Sequence, residues 1–388
     1  TRCLSDWSSD VCSSDLTSTK QMLALEKVYP KRKPDTTRNS ISYRTLSGLK
    51  RRIMGLAMST DSFQPLLDKA LASRAHQVDS NHGAAFRLFN GFTEGDPSLS
   101  LDIYARTLVI HNYMDDSSQN KSNIETTTNH LRTSLNWLRA GIIKQRNGLT
   151  QEDKRGKLLF GDSPDTKISE HGVWYALDLT MNRDASFYLD TSNLRKWLIE
   201  NMRGKSVLNT FAYTGSFGVA ALAGGASRVV QVDRNRRFLD LARKSYARNG
   251  FSVNRNDFLA LDFFPAVSRF KTGKQTFDCV ILDPPFFSST PKGKVDQEKE
   301  SARLINKVRP LVNDGGYLIA INNALYVSGQ EYMQTLENLC KDGYLKIEEL
   351  IPVPEHFVGY RQVSKPITDP APFNHSTKIA VLRVRRKA

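Results

Sequence analysis

Residues 205–237 read KSVLNTFAYTGSFGVAALAGGASRVVQVDRNRR, and residues 277–287 read FDCVILDPPFF. Two short apolar runs, Ser206 to Leu208 and Arg228 to Val232, flank a small-residue segment with helical spacing. That is the pattern of a strand, a tight turn, a helix and a second parallel strand. The turn, residues 210–218, carries Gly215 and Gly218, where backbone could approach a ligand without Cβ interference. Asp233 closes the second strand, where an acidic side chain in such folds accepts both hydroxyls of a ribose. A glycine-containing turn before a helix is common in α/β proteins, and FAYTGSFG lacks the spaced triplet of a dinucleotide fingerprint, so the turn alone leaves its ligand open.

The second stretch narrows the choice. FDCVILD is a near-continuous apolar run, as expected of a strand buried on both faces of a parallel sheet. It ends in Asp283, Pro284, Pro285 and Phe286, and two prolines cannot extend a central strand, so the chain must leave the sheet at its carboxyl edge, where ligands bind in open α/β folds. Such a tetrad suits methyl transfer to a planar nitrogen compound. The lone pair of an exocyclic base amine is delocalised into the ring. A carboxylate (Asp283) and a rigidly presented carbonyl (Pro284) can accept its hydrogens, while the aromatic ring (Phe286) stacks on the base.

From about Ala84 to the C-terminus the chain resembles the class I S-adenosylmethionine-dependent methyltransferases that modify bases of large-subunit ribosomal RNA, the group with 5-methylcytosine and 7-methylguanine enzymes. The resemblance rests on ASFYLDTSNLR (185–195), VLNTFAYTGSFGVAALAGGA (207–226), VVQVD ending at Asp233, LDFF (261–264), ILDPPFF (281–287) and DGGYLIAINN (314–323), in that order. It implies an α/β, Rossmann-like methyltransferase domain with a seven-stranded, mostly parallel sheet over residues 170–388, preceded by a small α+β domain over 59–165. S-adenosyl-L-methionine is the implied cofactor. Its implied contacts are Phe187, Asp190, Arg195, Asn209, Phe211, Tyr213, Thr214, Gly215, Asp233, Arg234, Asp262, Phe263 and Asp283, with Asp262 on the adenine amine and its neighbouring side chain against the ring. The glycine that usually precedes the aromatic pair is Ser186 here. For Phe187, Asp190 and Arg195 the alternative is an aromatic staple and a surface salt bridge, and a shift of register would put Asp257 in the place of Asp262.

At 388 residues the chain exceeds one ordinary domain, and 39% hydrophobic with 24% charged residues is a globular composition. No apolar run approaches the roughly 18 residues of a membrane span. Residues 1–16, TRCLSDWSSDVCSSDL, resemble a non-native leader. Residues 17–58 are basic: an organellar transit peptide, a disordered RNA-binding arm, or sequence before a start at Met54 or Met58. The compartment is therefore cytoplasmic, or plastid or mitochondrial if this segment is a transit peptide. Of the net charge of +15, residues 20–58 contribute +8 and the leader −2, which leaves +9 on residues 59–388. That excess favours a polyanionic partner, RNA or the large ribosomal subunit.

Residues 61–77 space Phe63, Leu66, Leu67, Ala70, Leu71 and Ala75 like one helix face, and 84–114 show β-type runs around a turn at 94–97. Residues 115–129 read as a surface loop, and 130–140 as a helix presenting Leu131, Leu135 and Leu138. Residues 144–171 read as a linker with a hairpin. Beyond the tetrad, 288–298 is a polar loop that either closes over substrate or is simply exposed. Residues 314–316 read as a turn, 317–321 as a strand, and 344–353 with 378–384 as a final antiparallel pair.

A cytosine C5 methyltransferase needs a cysteine thiolate to activate the ring. Cys279 lies inside a predicted strand and Cys340 in a predicted helix, and where cytosine-modifying relatives carry a cysteine this chain reads INNA. The resemblance is thus closer to the guanine branch, where Asn322 and Asn323 either contact a base edge or cap the strand. The expected activity is methylation of an RNA base nitrogen, guanine in large-subunit rRNA. The alternatives are cytosine C5 and a protein side-chain amide. The seven histidines have no metal spacing and His375 is a possible wall of the substrate mouth; no metal is expected.

Overall fold

A computed structural model describes residues 60–114, 118–148, 150–360 and 372–386. The expected leader and basic segment lie outside these residues. The first layer is a helix, α1 (Thr60–Arg74), on a five-stranded sheet of β1 (Ala85–Asn90), β2 (Leu99–Tyr104), β3 (Thr107–Asn112), β4 (Ala140–Gln145) and β5 (Lys157–Phe160) in sequential order. β3 and β4 are parallel, joined through α2 (Ser118–Ser134), and the other pairs are antiparallel.

Three expectations need correction here. The surface loop at 115–129 is mostly helix α2, which buries Ile124, Thr127, Thr128 and Leu131. These recur at helical spacing, but two are threonines, so an apolar count misses the face. The helix ends at Ser134, and Leu135 and Leu138 sit in the turn behind it. The expected linker at 144–171 contributes β5, whose Phe160 ring lies where a Cβ on Gly141 would be. Its predicted hairpin forms one strand later, as β6 (Lys167–Glu170) and β7 (Val173–Ala176).

The second sheet has seven strands. β8 (Ser206–Thr210), β9 (Arg228–Asp233), β10 (Phe258–Ala260), β11 (Phe277–Leu282) and β14 (Val312–Asn322) are parallel, while β16 (Lys378–Val384) runs antiparallel between β14 and β15 (Leu345–Ile351). Strand order is β10-β9-β8-β11-β14-β16-β15. The order reverses at β8 and β11, so the crevice at their carboxyl ends is the topological switch point, where such sheets bind ligands. Helices cover both faces: α3 (Ser192–Asn201), α4 (Ser216–Ala223) and α5 (Arg236–Arg248) on one, α6 (Phe263–Thr272), α7 (Gln297–Val308) and α8 (Gly329–Cys340) on the other. Residues alternate between the two cores along β11: Cys279 and Ile281 face one, Val280 and Leu282 the other, which is why this strand reads as continuously apolar.

The expected turn at 314–316 lies inside β14, where the register with β11 shifts between Phe277 and Cys279. The polar stretch 288–298 is an ordered hairpin, β12 (Phe287–Thr290) with β13 (Gly293–Asp296), leading into α7. Gly293 lets the hairpin lie on Phe264, since a Cβ there would stand 2.4 Å from the ring.

Candidate active site

The loops after all five parallel strands meet in one cavity. Phe211 and Tyr213 follow β8; Asp233, Arg234 and Asn235 follow β9; Asp262, Phe263 and Phe264 follow β10; Asp283, Pro284 and Pro285 follow β11; and Asn323 follows β14. Tyr188, Asp190 and Thr377 close one side and the β12–β13 hairpin the other.

The loop after β8 is held in a strained form. Phe211 and Tyr213 adopt left-handed backbone, φ +56° and +50°, costing on the order of 1–3 kcal/mol each for such side chains. Bonds to the end of β9 compensate: Ala212 N–H donates to the Val232 carbonyl (2.8 Å) and Tyr213 N–H to Asp233 Oδ2 (2.9 Å). Asp233 Oδ1 accepts from Asn235 N–H at 2.8 Å. The loop and the acid therefore fix one another at the cavity wall. Burial pushes the Asp233 carboxyl up to about 6.

Gly215 is also left-handed, and its missing Cβ would meet Ala242 at 2.5 Å; that of Gly218 would meet Gln231 Nε2 at 2.0 Å. Both directions point into the protein, so helix-on-strand packing demands these glycines, and the ligand approach expected of them needs correction.

Beyond β10, Asp262 caps α6, its Oδ1 accepting from Phe264 N–H at 3.1 Å, which leaves Oδ2 for the cavity. Asp257, the register alternative, is turned away and paired with Arg228 at 2.7 Å. Phe263 stacks on Phe211, centroids 4.6 Å apart, as an apolar wall.

Asp283 is the least satisfied group: its Oδ1 is shielded and has no hydrogen-bond partner. Burial, reinforced by the Asp190 carboxylate, pushes its carboxyl up to about 8. Asp190 accepts from Thr377 Oγ1 at 2.8 Å, and burial raises it too, against that bond. Two acids on one wall, with an orphaned oxygen, fit a cationic ligand group; the acids after β9 and β10 fit a ribose and an adenine amine. The cavity therefore suits S-adenosylmethionine by its donor set.

Six expected residues stand off the wall. Arg195 is fully buried, donating to Glu170 at 2.5 and 2.9 Å, with its guanidinium 4.0 Å above the Phe187 ring. This is the staple-and-ion-pair alternative, buried rather than on the surface. Asn209 bonds Gln231 between β8 and β9, Thr214 Oγ1 donates to the Ser186 carbonyl, and Gly215 packs on Ala242. Phe286 is not on the cavity wall, and its carbonyl accepts from Gln297 N–H. Ser186, at φ +59°, holds the left-handed conformation that a glycine would take without strain.

Gln297 was not legible in the sequence. Its buried side chain donates to the Pro284 carbonyl and to Asn323 Oδ1 (3.1 Å) and accepts from Asn323 N–H (3.0 Å). It ties the proline turn to the end of β14. Asn322 is spent on structure, its Oδ1 accepting from Ala324 N–H. Burial raises both Cys279, inside β11, and Cys340, on α8, and neither lines the cavity. No metal-holding cluster and no helix long and apolar enough to cross a membrane occur among the described residues.

Residues 87–357 match a family model described as S-adenosylmethionine-dependent methyltransferase. The provisionally named ribosomal RNA large subunit methyltransferase YwbD of Bacillus subtilis is 30% identical over 307 residues, covering 76% of this chain and 75% of the relative. Ribosomal RNA large subunit methyltransferase I of Photobacterium profundum is 26% identical over 295 residues, covering 75% and 74%. In fold, the chain is similar to SMU.776, provisionally assigned as a methyltransferase and crystallised with SAH (TM-score 0.73, 22% identity, 85% and 83% covered).

Proposed function

The chain belongs to the S-adenosylmethionine-dependent methyltransferase family, and on that premise we propose that it methylates a guanine nitrogen in large-subunit ribosomal RNA. The observation that carries the reading is Asp283, a carboxyl with an orphaned oxygen on the cavity wall, on a rigid two-proline turn. The names of the relatives support ribosomal RNA as substrate, and the +9 carried by residues 59–388 supports a polyanion.

In this reading Asp233 receives the ribose of the cofactor, Asp262 Oδ2 its adenine amine, and Phe263 the ring. Bound S-adenosylmethionine supplies a methyl group on a positively charged sulfur. Asp190 and Asp283 face that charge, and Asp283 orients the acceptor base by accepting its N–H. For a ring nitrogen such as guanine N7 the lone pair is already in the plane, so alignment suffices; an exocyclic nitrogen must lose a proton after transfer. The Pro284 carbonyl already accepts from Gln297, so the turn is a fixed presenter of Asp283, and a second lone pair remains for a base. Carbon methylation at cytosine C5 is disfavoured because neither described cysteine reaches the cavity. The division into a small domain (59–165) and a catalytic domain (170–388) belongs to the same reading.

The test is methyl transfer from radiolabelled S-adenosylmethionine to ribosomal RNA, large subunits and total protein in parallel, with nucleoside analysis of labelled RNA. Label in a methylguanosine is expected. Label in 5-methylcytidine overturns the nitrogen assignment, and label confined to protein overturns the RNA assignment in favour of a side-chain amide.

A further inference from the structure

Gln297 does more than tie the proline turn to the end of β14, because its bonds fix which atom of Asn323 is left over. The Pro284 carbonyl can only accept and the Asn323 N–H can only donate, and the Gln297 side chain serves both, with Nε2 at the first and Oε1 at the second (3.0 Å). A side-chain amide held between an obligate acceptor and an obligate donor has one orientation. Its remaining N–H therefore meets the oxygen of the Asn323 side chain, Oδ1, at 3.1 Å. Nδ2, with two N–H groups, is the atom of Asn323 that points away. Gln297 is 1% exposed, so this orientation is set from inside the protein and not by solvent.

Asn323 is half-buried and lines the cavity together with Asp283 and Pro284. Its Nδ2 makes no hydrogen bond within the described residues and is accessible, unlike the shielded Asp283 Oδ1. The other carboxyl oxygen, Asp283 Oδ2, is likewise unbonded and accessible. Asp283 follows β11 and Asn323 follows β14, which pair in parallel, so this acceptor and this donor stand at the same end of strands about 4.8 Å apart. One planar base can bridge both. Asn322 has no such freedom, being consumed through Ala324 N–H and the Gln297 carbonyl. A donor beside an acceptor complements a base edge on which an acceptor and an N–H adjoin, as O6 and N1–H do in guanine. We propose that Asn323 is a specificity-determining residue that reads the methyl-accepting base, Nδ2 donating to guanine O6 while Asp283 Oδ2 accepts from N1–H. The inference rests on the assignment of this cavity to S-adenosylmethionine and RNA. Adenine and cytosine present the reverse pair in that pose, an amine and a ring acceptor, which leaves both protein groups unpaired and rejects the base. The grip leaves guanine N7 and the N2 amine clear for the methyl group. Gln297 is the positioning residue that keeps the donor turned outward.

The experiment measures methyl transfer from S-adenosylmethionine to ribosomal RNA by the full chain and by its Asn323→Asp and Asn323→Ala variants, near pH 8.5 so that the introduced carboxyl is ionised. Affinity for S-adenosylhomocysteine is measured for each by calorimetry. Asn323→Asp keeps an oxygen that accepts from Gln297 and exchanges only the donor for an acceptor, whereas Asn323→Ala removes both. A purely structural role through Gln297 would make the alanine variant the worse. Donation to the base makes it the milder: kcat/KM should fall about a hundredfold or more in Asn323→Asp and about ten- to thirtyfold in Asn323→Ala, with S-adenosylhomocysteine affinity within about twofold in both. Should one variant fail to fold, the other decides by the same split between kcat/KM and affinity. Alanine worse than aspartate, or both equal to wild type, overturns the inference, while label in RNA keeps the enzyme assignment. Affinity lost in parallel with activity overturns it as well and gives Nδ2 to the cofactor. Label in 1-methylguanosine overturns the N1–H contact. A wild type that transfers no label to RNA overturns the RNA reading itself, and this inference with it.

Discussion

The raised carboxyl of Asp283 gives a prediction that separates charge from shape in cofactor binding. In the ligand-free protein this group sits at about 8, because burial and the neighbouring Asp190 both oppose ionisation. It is therefore about 1% ionised near pH 6 and about half ionised near pH 8. A sulfonium cation beside it favours the carboxylate and pulls the pKa down, so S-adenosylmethionine must expel a proton to bind at neutral pH. If the bound-state pKa falls to about 5 or lower, affinity for S-adenosylmethionine rises about 50-fold between those two pH values, about 2.3 kcal/mol. S-adenosylhomocysteine carries no such charge and should lack this component. Asp233, at about 6, also titrates in the window, but its proposed ribose contact is common to both ligands, so the ratio of the two affinities cancels it. Isothermal titration calorimetry across the range, in two buffers of different ionisation heat, measures both ratio and proton release. Asp283→Asn should flatten the ratio, and Asp190→Asn should shift its midpoint to lower pH. A ratio independent of pH in the wild type would refute the placement of the methyl-bearing charge at Asp283. The sign for stability is opposite: a carboxyl raised from its ordinary value stabilises the ligand-free fold fully only below about pH 4, and that contribution is lost as pH rises to about 8.

Four substitutions extend the test. Asp283→Ala should abolish methyl transfer while leaving S-adenosylhomocysteine affinity nearly intact, and parallel loss of both in calorimetry and activity would show that its role is misassigned. Asp233→Ala should weaken cofactor binding by about 1.5–3 kcal/mol, the worth of charge-assisted hydrogen bonds, with unchanged affinity removing it from the ribose site. Arg195→Met leaves Glu170 buried and unpaired, so it should destabilise the protein by about 3–5 kcal/mol in denaturant unfolding while cofactor affinity of the folded fraction is unchanged; selective loss of affinity would return Arg195 to the cofactor contacts. Gln297→Leu unties the proline turn from Asn323 and should lower kcat more than it raises KM; a pure KM effect would mean that the turn needs no such support.

Where the sequence succeeded, local order carried the information. The runs at 206–208, 228–232 and 277–282 are strands because they are apolar on both faces, and acids or prolines at their carboxyl ends must emerge at the edge where β8 and β11 diverge. That alone pointed Asp233 and Asp283 to one edge, while Asp262 came from the family resemblance, with Asp257 as its alternative; Asp233, Asp262 and Asp283 line the one cavity, and Asp257 is paired with Arg228. Local order could not say which way a side chain turns. Arg195 and Phe187 stand in a cofactor-like motif, yet Glu170, 25 residues earlier, draws the guanidinium into the core. Gly215 and Gly218 look like room for a ligand and are room for Gln231 and Ala242. The polar stretch at 288–296 became a hairpin because Phe264 gave it a surface to lie on. Helix α2 was hidden because threonine methyls bury well without counting as apolar. Gln297 and Thr377 have no signature of their own, since each acts through partners that local sequence does not reveal. The sequence by itself determined the parallel sheet and the acids at its edge, through periodicity and chain breaking. Only the tertiary structure decided which polar groups were consumed in the core and which, like Asp283 Oδ1, were left without a partner, because satisfaction of a buried polar group depends on what packs against it.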